Sequence, residues 1–186
     1  MKKFLLLLIF VFLGSLVLAQ YNLSFTSEYI DFNLDANYFT INGVYNFRNE
    51  AAKPINKKIA FPFAGSAAEV DSVRIVNLNT LENIPFKRNK ELVFFYLLVP
   101  SDDSVAVNIF YGQHTAKTNR YILKTTKSWG KPLKEAVYNL TVNNELKVSK
   151  ISMKPDSTNA GSVSMMYYWH KQNFEPFVDF EVTLAD

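Results

Sequence analysis

The chain has 186 residues, 48% of them hydrophobic and 15% aromatic, and it contains no cysteine. The missing thiols exclude disulfide staples, thiolate metal sites, cysteine nucleophiles and a thioether-linked lipid anchor. With Lys2 and Lys3 set aside, 18 basic residues face 17 acidic ones, too even a balance for the basic surface that nucleic acid or another polyanion requires.

The N-terminus, "MKKFLLLLIFVFLGSLVLA", starts basic at Lys2 and Lys3 and then runs apolar from Phe4 to Leu13. Val17 and Ala19 stand where a signal peptidase needs small residues before its cut. The apolar stretch is shorter than the roughly twenty residues of a comfortable membrane span. Residues 1–19 are therefore read as a cleaved secretory signal, which sends the rest of the chain to the periplasm or beyond. No disulfide supports the remainder, so residues 20–186 must be held by a hydrophobic core. That length suits one enlarged domain.

From Tyr29 onward the dominant period is two. Ile30, Phe32 and Leu34 alternate with Asp31, Asn33 and Asp35; Phe39, Ile41, Tyr45 and Phe47 alternate in the same way, with Gly43 in the apolar register. Such alternation builds a strand with one buried face, and a glycine inside it marks a bulge or a close approach. Nine further runs follow: Lys57–Phe63, Val70–Leu78, Glu91–Val99, Ser104–Tyr111, Arg120–Thr126, Ala136–Val142, Leu146–Met153, Val163–His170 and Val178–Leu184. The turn-rich stretches "FAGS", "NLNTLEN", "KRNK", "PSDDS", "NN" and "KPDSTNAGS" separate them. Eleven candidate strands without a long amphipathic helix predict an all-β, antiparallel sandwich, either an enlarged immunoglobulin-like fold or a jelly roll.

Two runs carry more information. "ELVFFYLLV" (Glu91–Val99) is apolar on both parities, as in a strand covered on both sides or one whose outer face meets a partner. Pro62, within Phe61–Phe63, cannot donate to a ladder and puts that segment at an edge or strand end. An edge of this kind can accept an added strand from a partner.

Signatures of catalysis are missing. His114 and His170 are the only histidines, and nothing in their spacing asks for a metal. There is no Gly-x-Ser-x-Gly elbow and no phosphate-cradling glycine loop. Asp102 and Asp103 read as a turn between strands. No cofactor, no metal and no enzyme activity are expected.

Aromatic side chains are in surplus, with 16 Phe, 10 Tyr and 2 Trp. On the run ending at His170, Met165, Tyr167 and Trp169 share one face, and Met166, Tyr168 and His170 share the other. One row is expected to fill the core and the other to meet solvent or an interface. Trp129 sits on a bend fixed by Gly130 and Pro132. There it is read as a plug against Leu133, Ala136 and Val137 in preference to a ligand platform. Trp129, Tyr167, Tyr168 and Trp169 are the candidate contact residues.

The segments "YNFRNEAAKPINKKIAFPF" (Tyr45–Phe63), "VNIFYGQ" (Val107–Gln113) and "RYILKTTKSWGKPLKEAVYNLTV" (Arg120–Val142) resemble a broad group of uncharacterised secreted bacterial β-sandwich proteins. The resemblance implies a sandwich outside the cytoplasm and brings no catalytic residue with it. The leading expectation is a non-catalytic module binding a protein or cell-envelope component. A carbohydrate-binding module using exposed rings is the alternative, and a small outer-membrane β-barrel a further one. No nucleic acid is expected as a partner, and no integral membrane segment after signal cleavage.

Overall fold

The computed structural model describes residues 22–64, 70–89 and 91–185; the apolar leader at residues 1–19 lies outside them. Fourteen strands are present among the described residues: β1 Leu23–Leu34, β2 Tyr38–Asn49, β3 Ile55–Pro62, β4 Val70–Asn77, β5 Glu82–Asn83, β6 Phe86–Arg88 and β7 Leu92–Val99 come first. Then follow β8 Ser104–His114, β9 Thr118–Tyr121, β10 Leu133–Asn143, β11 Val148–Ile151, β12 Ser157–Ala160, β13 Ser164–Phe174 and β14 Phe180–Leu184.

One layer is an eight-stranded sheet in the order β12-β13-β10-β1-β2-β8-β4-β5. The other consists of two three-stranded sheets, β11-β14-β9 and β3-β7-β6. Every pairing is antiparallel except β1 with β10, which run parallel from Ser27↔Glu135 to Leu34↔Val142. The sheets are open at both ends, so the protein is an all-β sandwich and the barrel alternative is overturned. Closure would require the two ends of the large sheet, β12 and β5, to pair.

Period-two patterning places the core. Register sets Ile30 opposite Gly43 and Phe32 opposite Ile41, Tyr138 beside Ile30, and Trp169 beside Tyr138. One face of the large sheet is thus a continuous apolar field. Both small sheets press on it: Phe180 stacks on Phe32 with centroids 4.3 Å apart, and Phe61 meets Tyr45 edge-on at 5.4 Å. Asn49, fully buried at the end of β2, clips the layers together by donating from Nδ2 to the carbonyls of Val99 and Pro100. A bulge at Thr26 shifts the β1 register between Phe25 and Ser27. Phe25 and Glu28 therefore both face inward.

The expected strand over Arg120–Thr126 is shorter and earlier. β9 ends at Tyr121, and Lys124–Trp129 forms a 3₁₀ helix. Gly130 ends this helix with φ of 72°, and its N–H donates to the Lys127 carbonyl. The left-handed conformation expected of that glycine is present. Three short strands, β5, β6 and β12, fall in or overlap stretches whose composition predicts turns. Each is an exposed piece paired to a longer neighbour.

Candidate functional site

β7 is the central strand of its three-stranded sheet, and the described residues cover only one of its faces. Val93, Phe95, Leu97 and Val99 point into the core, while Phe94, Tyr96 and Leu98 form an outward apolar row. Tyr96 is 64% exposed and Leu98 59%. Of the two explanations for the unbroken apolar run, the uncovered outer face is the one realised. Cross-strand register brings Lys58 opposite Tyr96 and Lys87 opposite Phe94; the Lys58 ammonium sits 4.2 Å from the Phe94 ring centroid. The result is an apolar strip with lysines on both sides.

Beside this strip lies a groove of about 430 Å³ lined by Tyr96, Leu98, Pro100, Ile84, Pro85 and Asn79 among others. The β4–β5 turn that forms its far wall carries Leu81, a non-glycine residue with φ of 62° and a side chain 78% exposed. A leucine held left-handed costs on the order of 1 kcal/mol, and it adds a further apolar group to this end of the molecule.

The residues singled out from sequence divide between core and surface. Trp169 is completely buried, its Nε1–H donating to the Met153 carbonyl at 3.2 Å. It is a core residue and is removed from the candidate contacts, because its ring packs against Phe180. Tyr167 shares the inward face and stacks on Trp169 at 6.3 Å. Tyr168 faces outward and is exposed. Trp129 is half-buried, 5.4 Å from Phe47 and 6.0 Å from Phe25, with the Lys57 ammonium over its ring at 4.7 Å. The rings beside it belong to β1 and β2.

Phe61 and Phe63 turn their rings inward toward Tyr111, Phe63 buried and Phe61 half-buried. β3 is an edge strand of its sheet and ends at Pro62. His114 stacks on Tyr38 at 4.9 Å. His170 bonds Glu135 through Nε2 at 2.8 Å on the outer face of the large sheet. Among the described residues no three acidic or histidine side chains gather as metal ligands would.

Sequence reasoning missed a polar cluster inside the sandwich. Glu28 is 1% exposed, and the Tyr138 hydroxyl donates to its Oε1 at 2.5 Å. Burial pushes the carboxyl up to about 7 against the opposing effect of the Tyr138 hydrogen bond. The Tyr45 and Tyr121 hydroxyls bond each other at 2.9 Å, and burial raises both well above the ordinary phenol range. The Tyr111 hydroxyl is buried without a hydrogen-bond partner among the described residues. A signal for Glu28 was present: it has the same parity as Ile30, Phe32 and Leu34.

No family model matches the chain, and no curated protein matches its sequence. Its fold is similar to a Legionella pneumophila protein provisionally described as nutrient-binding, with a TM-score of 0.68 and 16% identity over 88% of this chain and 67% of that one. It is also similar to part of a mutant M1 zinc metallopeptidase from Deinococcus radiodurans bound to a Tyr-Ser-Ala substrate. There the TM-score is 0.54, the identity 9%, and the coverage 88% of this chain and 43% of the peptidase. A two-domain M1 zinc metallopeptidase bound to L-tryptophan gives a TM-score of 0.54 at 9% identity and the same coverage. The chain thus spans less than half the length of the peptidases it matches, and the likeness is one of fold.

Proposed function

We propose that this chain is a non-catalytic, extracytoplasmic binding module that docks a protein component of the cell envelope on the outer face of β7. The observation carrying this reading is the uncovered Phe94–Tyr96–Leu98 row, continuous with the groove formed by Ile84, Pro85 and Pro100. An apolar strip rimmed by Lys58 and Lys87 suits a partner with an apolar centre and an acidic rim, the arrangement of a core-and-rim interface. The leader at residues 1–19 supports the compartment. The peptidases of similar fold support docking in a further way, because in them this fold occurs beside further polypeptide.

A photo-crosslinking residue at position 96 tests the reading in the native cell. A discrete protein adduct, abolished by Leu98→Glu and not formed from position 42 on the opposite layer, is the expected result. Equal, diffuse crosslinking from both positions would refute it.

A second reading, carbohydrate binding, draws support from the outer face of the large sheet. Tyr29 and Tyr168 are exposed there beside Asp31, Asn139, Glu135 and His170, and Asn139 donates to Asp31 at 2.8 Å. Rings flanking paired polar groups suit a sugar. Retardation in glycan-containing gels that survives the double change Tyr29→Ala, Tyr168→Ala would dispose of this alternative.

A further inference from the structure

The polar cluster borders an internal space that the docking face does not use. Between the inner faces of β1 and β2 and the strand β3 lies a cavity of about 60 Å³. Seven aromatic rings line it, Phe25, Phe47, Tyr45, Tyr121 and Trp129 among them, and Glu28 is its one acidic group among the described residues. Tyr138 satisfies Oε1, and no further hydrogen-bond partner meets this carboxyl among the described residues. A buried acid with one partner is a costly way to fill a core, since an apolar side chain of the same size is usually cheaper.

Ile59, Ala60 and Trp129 also line a second hollow of about 190 Å³, shared with Leu23, Lys57, Lys58 and Ser128. The two spaces therefore adjoin at Trp129. That indole already carries a cation, the Lys57 ammonium, over its ring. A carboxyl set among π faces is the chemistry that receives an ammonium group: the carboxylate accepts its N–H bonds and the rings face its charge. The inner volume is roughly that of a few water molecules, enough for an ammonium head on a short stem, with the larger hollow left for a tail.

We propose that the interlayer cavity is a binding site for the ammonium head of a small organic amine, with Glu28 as its anionic anchor and Trp129 at the passage to the outer hollow. The titratable groups that sense Glu28 are Tyr45 of β2, Tyr121 of β9 and Tyr138 of β10. Burial raises all three hydroxyls, so they stay neutral while the carboxyl titrates; Lys57 and Lys58 are the charged groups lining the outer hollow. Binding needs the carboxylate, and a group titrating at about 7 is ionised about 30-fold more at pH 8 than at pH 5.5.

The test titrates the purified protein with n-butylammonium chloride by calorimetry and tryptophan emission, against equal ionic strength of sodium chloride and against 1-butanol. Saturable 1:1 binding at pH 8 is expected, about 30-fold weaker at pH 5.5 by the same ionisation argument, with no saturable binding of 1-butanol. Glu28→Gln should weaken it at least tenfold, while its denaturation curve shows that it is folded. Amide chemical-shift changes in the unaltered protein should centre on Ala60, Thr126 and Trp129. Absence of saturable binding at pH 8, equal binding of 1-butanol, undiminished binding by Glu28→Gln, or shifts centred elsewhere would each overturn the proposal.

Discussion

Replacing Glu28 by glutamine should make the protein more stable at neutral pH, although it alters a hydrogen-bonded core residue. Burial pushes the carboxyl up to about 7 in the folded chain, from the 4.5 of an ordinary glutamate. Below pH 4.5 it is protonated in both states and contributes no pH dependence. As the pH rises from 4.5 to 7, the unfolded chain releases this proton while the folded chain keeps it, so stability falls. Above 7 the folded group ionises as well and the loss is complete. The shift corresponds to ~3 kcal/mol. Glutamine keeps an oxygen to accept the Tyr138 hydroxyl and never ionises. Urea denaturation of both proteins from pH 4.5 to 8 should therefore give near-equal midpoints at the acid end and a variant more stable by ~3 kcal/mol at pH 8. Glu135 and Asp156 are shifted downward by their hydrogen bonds, chiefly from Tyr29 and Lys171 respectively, so their effects fall at lower pH and cancel in the comparison. A variant less stable than its parent at pH 8 would refute the reasoning.

Other expectations follow from the same packing. Tyr111→Phe removes a buried hydroxyl with no partner among the described residues and should raise stability by ~1 kcal/mol, measured by urea denaturation; a marked loss would mean that the hydroxyl is satisfied. Gly43→Ala would drive a Cβ into the Tyr45 hydroxyl and ring edge. Displacing that packed ring from Tyr121 should cost about 1–3 kcal/mol, visible as a lower thermal midpoint. Leu98→Glu changes an exposed side chain and should shift stability by no more than ~0.5 kcal/mol, while abolishing capture of the partner.

Much of the fold is legible in side-chain parity. Ile30, Phe32 and Leu34 predict the inner face of β1, and the split between Tyr167, Trp169 and Tyr168, His170 on β13 follows the same rule. The bend at Trp129 is legible because Gly130 can take a conformation that other residues resist. What stays hidden has physical causes. β5, β6 and β12 are exposed at every residue, so no buried apolar alternation marks them; their neighbours impose the extended form. The parallel contact between β1 and β10 joins segments about a hundred residues apart, and no local pattern encodes it. At the candidate sites, the unbroken apolar run of Glu91–Val99 singles out this strand but fits equally a strand covered on both sides or one with an outer face for a partner; only the packing separates the two. Glu28 is marked only by sharing the parity of Ile30, Phe32 and Leu34, and that signal is weak because a carboxylate at the start of an alternating run is ordinarily solvated.

The absence of native cysteine allows a direct test of the docking face. Leu98→Cys and Asn42→Cys each place one thiol on an exposed side chain of opposite layers. Maleimide labelling is then compared between purified protein and intact native envelope. The account predicts that position 98 reacts in the purified protein and is protected in the envelope, while position 42 reacts in both. Equal labelling of position 98 in the two settings would contradict it.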